Sequence, residues 1–192
     1  MKRTETTGAR LQRQPLTQKV AQTAIFTALG IVFAHLFYFP FLGTLAFPGQ
    51  HLVNATAGVI LGPWWAALIA VLVGMYRNAL GIGTIFAFPG GIPGALVVGG
   101  VYWLLRRRLS RRVSLVASLF EPVGTVLIGA TLSLLVVAPM IGDVKKLGLI
   151  QQFGVAGALL QFYWGWAISS VVGAVAGYLV LLGLDRFGLV KR

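Results

Sequence analysis

The distribution of charge constrains this chain more than any single motif. Its 16 Lys and Arg and 4 Asp and Glu fall mainly in short stretches, and the long runs between them carry one charge or none. A soluble domain of 192 residues needs a charged surface, whereas runs of this kind must face lipid or one another. An apolar content of 57% with only 10% charged residues excludes the ordinary soluble class.

The formal charge of +12 raises nucleic acid as a partner. The cations flank apolar segments, however, and are not interleaved with exposed aromatics, so nucleic-acid binding is not expected. Cytoplasmic flanks of membrane spans retain Lys and Arg, which makes the same cations a guide to orientation. Cysteine is absent, which removes disulfides, thiolate metal sites and Cys nucleophiles but does not identify a compartment.

Residues 20–39 form an apolar segment behind Lys2, Arg3, Arg10, Arg13 and Lys19, a layout shared with signal peptides. The segment is about 20 residues, enough to cross a hydrocarbon core, and no small-residue cleavage site follows it. It reads as a retained first span. Pro40, Gly43, Pro48 and Gly49 then interrupt helix within an apolar loop placed at the membrane boundary. A short second span runs from Phe47 to Gly62-Pro63, with Pro48 in its first turn, and a third covers 64–80. After the Gly- and Pro-rich stretch 81–94, a fourth span covers 92–105 and ends at the basic run 106–112. A fifth covers 115–140, a polar segment over 141–152 carries Asp143, Lys145 and Lys146, and the last span covers 155–184.

The expected fold is an all-α integral membrane protein of six transmembrane helices with both termini cytoplasmic. It divides into a basic N-terminal segment (1–19), a membrane domain (20–184) and a cytoplasmic tail (185–192). Thirteen of the sixteen cations then lie inside, and only Arg77, Lys145 and Lys146 lie outside, as the positive-inside bias requires. The uncharged turn Gly62-Pro63 also fits a re-entrant hairpin. Ala46-Phe47-Pro48-Gly49 recurs as Ala87-Phe88-Pro89-Gly90, each copy on the outer side before an inward-running helix. Such a start leaves backbone N–H groups free for a ligand, as in the broken helices of transporters, although two similar turns are the simpler explanation.

Enzyme chemistry finds little support. There is no GxxxxGK[ST] loop, so ATP hydrolysis would have to come from a partner. No HExxH is present, and His35 and His51 have no surrounding acids, so neither a metal nor a cofactor is expected. Ser169-Ser170 lies among Gly and Ala without a GxSxG frame and reads as a helix contact.

Glu121 is the only acid well inside an apolar segment, where a carboxylate is expensive unless paired or facing a cavity, and is therefore a candidate binding residue. The alternative places it near the inner surface, in reach of Arg111 or Arg112. His51 and Asn54, three apart on one helix face, could share a cavity, and Arg77 and Asn78 stand near the outer end of the third span. Interfacial snorkelling of Arg77, with His51 at the water boundary, is the competing explanation. Gln161, Tyr163, Trp164 and Trp166 open the last span, where an aromatic belt is expected; Trp164 is the candidate ligand wall and Trp166 the belt residue. Ala21, Ala24 and Ala28 form a strip of small side chains, a packing face either within the bundle or against a partner.

Five blocks carry a resemblance: Phe47-Pro48-Gly49-Gln50-His51-Leu52-Val53-Asn54, residues 58–63, Tyr76-Arg77-Asn78, Ala87-Phe88-Pro89-Gly90 and Glu121-Pro122-Val123-Gly124-Thr125. Through them the chain resembles the substrate-binding S components of energy-coupling factor (ECF) transporters, and among these the ThiW family. The resemblance implies a six-helix bundle in a prokaryotic plasma membrane, with an outward pocket and no ATPase of its own. It also implies a transmembrane coupling protein (T component) and two ABC ATPase subunits as partners, with Ala24 and Ala28 matching an Ala-xxx-Ala strip that meets the coupling protein. The implied substrate is 4-methyl-5-(2-hydroxyethyl)thiazole, a thiamine precursor. Its ring would stack on side chains such as Phe88, Tyr163 or Trp164, and Asn54, Asn78, Glu121 and Gln161 would supply hydrogen bonds. An S component for thiamine and a self-sufficient secondary transporter are the alternatives, the latter weakly supported by so short a repeat.

Overall fold

The computed structural model describes residues 14–41 and 44–189. The N-terminal basic residues up to Arg13 and the terminal Lys191 and Arg192 lie outside the described residues. Helix α1 (Leu16–Leu36) starts four residues before the expected first span and so takes in Lys19. It leads into a small antiparallel hairpin, β1 (Phe39–Phe41) with β2 (Thr44–Ala46), in which Phe39 faces Ala46 and Phe41 faces Thr44. An irregular apolar loop was expected there. A hairpin is the better solution at a membrane boundary, because pairing the two strands satisfies backbone groups that apolar surroundings would otherwise strand.

Helix α2 (Pro48–Leu61) begins with Pro48 in its first turn, where a missing N–H costs nothing. The turn to α3 (Pro63–Ala79) consists of Gly62 alone, at φ 88°, a left-handed conformation that favours Gly. At about 1.5 Å per residue α2 spans roughly 21 Å and α3 roughly 26 Å, both short of a hydrocarbon core of about 30 Å. Among the described residues four helices are long and apolar enough to cross a membrane: Leu16–Leu36, Ala87–Leu105, Arg111–Ile141 and Val144–Arg186.

Helix α4 (Ala87–Leu105) starts five residues earlier than expected. The loop before it is tied down by its own backbone: Ile82 and Gly83 both donate to the Arg77 carbonyl at 3.0 Å, and Ala87 donates to Thr84 at 2.8 Å. The second copy of the repeated tetrapeptide is therefore the first turn of α4, as Pro48-Gly49 is of α2. Helix α5 (Arg111–Ile141) is not uniform. It tightens to 3₁₀ geometry over Leu115–Phe120 and widens to π geometry over Val123–Ala130, with Glu121 and Pro122 at the junction. Helix α6 (Val144–Arg186) absorbs most of the polar segment expected as a connection. Asp143 caps its start by accepting from Lys146 N at 3.1 Å, and Gly154, at φ 68°, divides a short leading stretch from the long remainder.

The core lies where α2 meets α3, α4 and α6. Val53, Ala57 and Leu61 of α2 pack with Ala66, Ile69 and Val73 of α3 and Ala95 of α4. Lipid provides no hydrophobic drive between helices, so close approach is what holds them, and small residues permit it. A side chain at Gly99 would run into the Pro63 backbone, and one at Gly124 into the Pro93 carbonyl. At one end of the bundle stand the hairpin, the 80–86 loop and the start of α6. At the other, Arg111 Nε pairs with Asp185 Oδ1 at 2.6 Å, joining the start of α5 to the end of α6.

Candidate functional site

A cavity of about 630 Å³ opens at the hairpin end. Its lining draws on every element at that end: Phe47, Gln50 and His51 of α2 and its cap, Arg77 of α3, Phe86, Ala87 and Gly90 around the start of α4, and Lys145, Lys146, Gln161 and Trp166 of α6. Both copies of the repeated tetrapeptide thus bring a helix start to the cavity. Ser169 Oγ accepts from Phe47 N at 2.8 Å, fastening the end of the hairpin to α6.

Beneath the cavity the Glu121 carboxylate is completely buried and gathers donors from three other helical regions. Oε1 faces His51 Nδ1 at 2.8 Å, Thr125 Oγ1 at 2.6 Å and Asn54 Nδ2 at 3.3 Å, while Oε2 accepts from Ser170 Oγ. Asn54 Nδ2 also reaches the Gly91 carbonyl at 3.1 Å, and Thr125 Oγ1 lies 2.9 Å from the Gly90 carbonyl. A carboxylate in such surroundings is tolerated because its acceptor positions are filled. To donate to an ionised Glu121, His51 must carry its proton on Nδ1, which leaves Nε2 of a neutral ring as an acceptor. The arrangement requires that α4 come close: a Cβ at Gly94 would collide with Glu121 Oε1 and Thr125 Oγ1. Glu121 and Thr125, four apart on α5, share one face of that helix, and the change from 3₁₀ to π geometry falls at Glu121, irregular helix of a kind common at functional sites.

Glu121 therefore does not reach Arg111 or Arg112, the alternative its depth in the sequence allowed. Arg111 is paired with Asp185 instead. Nor does Arg77 snorkel: it is only 5% exposed, its Cζ lies 3.7 Å from the Phe47 ring centroid, and Nη1 donates to Gln50 Oε1. Lys146 Nζ sits 4.0 Å over the Phe86 ring and 2.8 Å from Asp143 Oδ2, and this hydrogen-bonded ammonium holds the Asp143 carboxyl below its ordinary range.

The candidates read from sequence separate into three groups. His51, Arg77 and Gln161 line the cavity, while Asn54 and Glu121 lie directly behind His51. Asn78, Phe88, Tyr163 and Trp164 stand elsewhere. Asn78 bonds back to the Gly74 carbonyl at 2.7 Å, and Phe88 packs against α3 beside Gly74. Tyr163 Oη meets Thr131 Oγ1 at 2.7 Å, and Trp164 is 68% exposed on the outside of the bundle. The tryptophan facing the cavity is Trp166, so the wall and belt positions expected for this pair are exchanged. Two steps along a helix rotate a side chain by roughly 200°, and nothing in the local sequence told which face turned inward.

Gln50, Ser170 and Thr125 were not singled out as site residues. Gln50 and Thr125 were visible only as members of the blocks that carry the family resemblance, and Ser170 had been read as packing. Each is a small or neutral polar residue whose importance comes from the charged group it contacts. Ala21, Ala24 and Ala28 are all exposed, so no packing against this strip is seen among the described residues. Among the described residues no three His, Asp or Glu side chains cluster as a metal site.

The family model for the thiamine-precursor transporter protein (ThiW) matches residues 20–187. No curated protein and no solved structure shows significant similarity. The match takes in every helix that builds the cavity and nearly the whole apolar region; the chain belongs to the ThiW family of thiamine-precursor transporters, multi-pass membrane proteins built from apolar helices.

Proposed function

We propose that this protein is the substrate-capturing S component of an ECF-type importer and that it takes up 4-methyl-5-(2-hydroxyethyl)thiazole. The observation that carries this reading is the cavity itself. At about 630 Å³ it falls in the range of small-molecule sites, with aromatic walls from Phe47, Phe86 and Trp166 and a polar floor of His51 backed by Glu121. An aromatic heterocycle can stack on Trp166, since Arg77 and Lys146 already lie over the Phe47 and Phe86 rings, and its hydroxyl and ring nitrogen need the few directed partners that Gln50, His51 and Gln161 offer.

In this reading all six long helices sit in the membrane, α2 and α3 as short spans sheltered by their neighbours, and both termini are cytosolic in a prokaryotic plasma membrane. The cavity then opens outward. Charge supports that orientation, because among the described residues the cations of the 106–112 run stand away from the cavity, and thirteen of the sixteen cations in the sequence fall in that run and the terminal segments assigned to the inner side. The exposed faces of Ala21, Ala24 and Ala28 favour contact with a T component, and the sequence lacks a phosphate-binding loop, so two ABC ATPases would supply the energy.

Titration of the purified, detergent-solubilised protein, read by tryptophan fluorescence, tests the substrate. Saturable quenching by the thiazole alcohol with no response to thiamine is the expected result. Absence of binding by either, in a sample shown to be folded, overturns the assignment. Uptake by proteoliposomes lacking the partner subunits would replace it with the self-sufficient transporter.

A further inference from the structure

We propose that the cavity is built for a thiazole carrying an oxyanion, a phosphate ester or a carboxylate, and that Arg77 is the group that receives it. The inference rests on the substrate-binding reading above and sharpens its chemical class. Its starting point is an unmatched charge. Arg77 lines the cavity while being only 5% exposed, and among the described residues it forms no ion pair.

Every described acid is engaged elsewhere. Glu121 is enclosed by His51, Asn54, Thr125 and Ser170; Asp143 is held by Lys146; Asp185 is paired with Arg111 at the far end of the bundle. A guanidinium has five N–H donors. Gln50 takes one on Nη1, and Nε is buried without a partner among the described residues. Burial of a cation is expensive unless it is paired, and in a membrane protein such a cation marks a ligand site by default.

Arg77 is also held in place to meet a ligand. The Phe47 ring covers one side of the guanidinium, with Tyr38 stacked on Phe47 at 6.1 Å between centroids. Gly83 lies against the base of the same side chain, so close that a Cβ there would come within 2.8 Å of Arg77 Cβ. A planar fork fixed in this way suits a carboxylate or phosphate, which it can grip with two parallel hydrogen bonds. Lys145 and Lys146 add positive charge to the same cavity, where Asp143 alone offsets them. A neutral thiazole alcohol would leave the guanidinium without a counter-charge, whereas its phosphate ester or a thiazole carboxylate supplies one.

The test is a set of tryptophan-quenching titrations on the full chain in detergent. The probes are 4-methyl-5-(2-hydroxyethyl)thiazole, its phosphate monoester, 4-methylthiazole-5-acetic acid and inorganic phosphate. The proposal expects at least one thiazole anion to bind about tenfold or more tighter than the alcohol, as charge-assisted bidentate hydrogen bonds allow. Which of the two anions leads identifies phosphate or carboxylate as the source. Arg77→Gln should weaken the anions far more than the alcohol and so close the gap between them, and Arg77→Lys should restore part of the difference. An alcohol that binds the native protein as tightly as both anions overturns the proposal while leaving the thiazole reading intact, and this arm needs no variant to fold. Equal weakening of alcohol and anions by Arg77→Gln also overturns it, by reducing Arg77 to a structural role. Arg77-dependent binding of inorganic phosphate without binding of any thiazole supports the anion receptor and overturns the thiazole reading.

Discussion

Helices α1 and α2 follow one another in the chain and are almost equally apolar to the eye, yet the bundle uses them in opposite ways. Of the 21 residues of α1 only Thr23, Gly30 and Ala34 are buried, whereas α2 buries eleven of its 14, including Gln50, His51 and Asn54. The difference lies in small residues and in length. Ala55, Ala57 and Gly58 let α3, α4 and α6 close around α2, while Gly49 admits Phe33 of α1, and a helix enclosed by protein can be short and can carry polar groups at membrane depth. Helix α1 is long enough to meet lipid itself and offers an outer face that none of the described residues covers. Binding chemistry thus gathers on the enclosed helix, and the exposed one is left free for docking.

Four experiments break or sharpen this contrast. The largest effect is expected for Glu121→Ala, which leaves His51, Asn54, Thr125 and Ser170 buried around an absent acceptor. A loss of about 3–5 kcal/mol is expected, together with loss of ligand binding, read by thermal unfolding in detergent and by titration. Unchanged stability would mean that the network behind α2 does not hold the bundle. Gly94→Val comes next, since its side chain would enter the space of Glu121 and Thr125; overpacking of this kind costs about 1–3 kcal/mol by the same unfolding measurement.

Smaller effects are expected away from the enclosed helix. Asp143→Ala removes the cap of α6 and should cost about 1 kcal/mol at neutral pH. Because the folded Asp143 carboxyl titrates below its ordinary value of 3.8, its contribution is complete above that value and is lost as the pH falls through the depressed folded value. Stability of the native protein and of the variant should therefore converge only in strong acid, and convergence at neutral pH would contradict the cap. The smallest effect belongs to α1. The double substitution Ala24→Leu and Ala28→Leu should change stability by no more than about 0.5 kcal/mol and leave binding intact, and, if the proposed docking of a coupling protein on this face holds, should abolish uptake. A large loss of stability would show that this face is packed after all.

Much of the fold was legible because lipid imposes simple rules. The absence of charge over long runs located the apolar helices to within a few residues, and Pro48 and Gly62-Pro63 marked the start and end of α2 correctly. The starts of α4 and α6 were misplaced because Gly, Pro and Lys were taken as breakers. In the fold, the backbone bonds to the Arg77 carbonyl and the Asp143 cap allow helix to begin earlier. Glu121, His51, Asn54 and Arg77 stood out because polar and charged groups in apolar runs are costly. Their partners did not stand out, since Gln50, Thr125 and Ser170 are ordinary until a charge is placed beside them.

By itself, then, the sequence determined that the chain lives among lipids and which residues would be expensive to bury. Only the tertiary structure decided that Trp166 and not Trp164 faces the cavity, that Glu121 turns to His51 and not to Arg111, and that Arg77 is buried with no carboxylate partner among the described residues. The physical reason is common to all three. Burial cost depends on residue type and can be read along the chain, whereas pairing depends on helix rotation and on approaches between residues tens of positions apart, which close packing alone fixes.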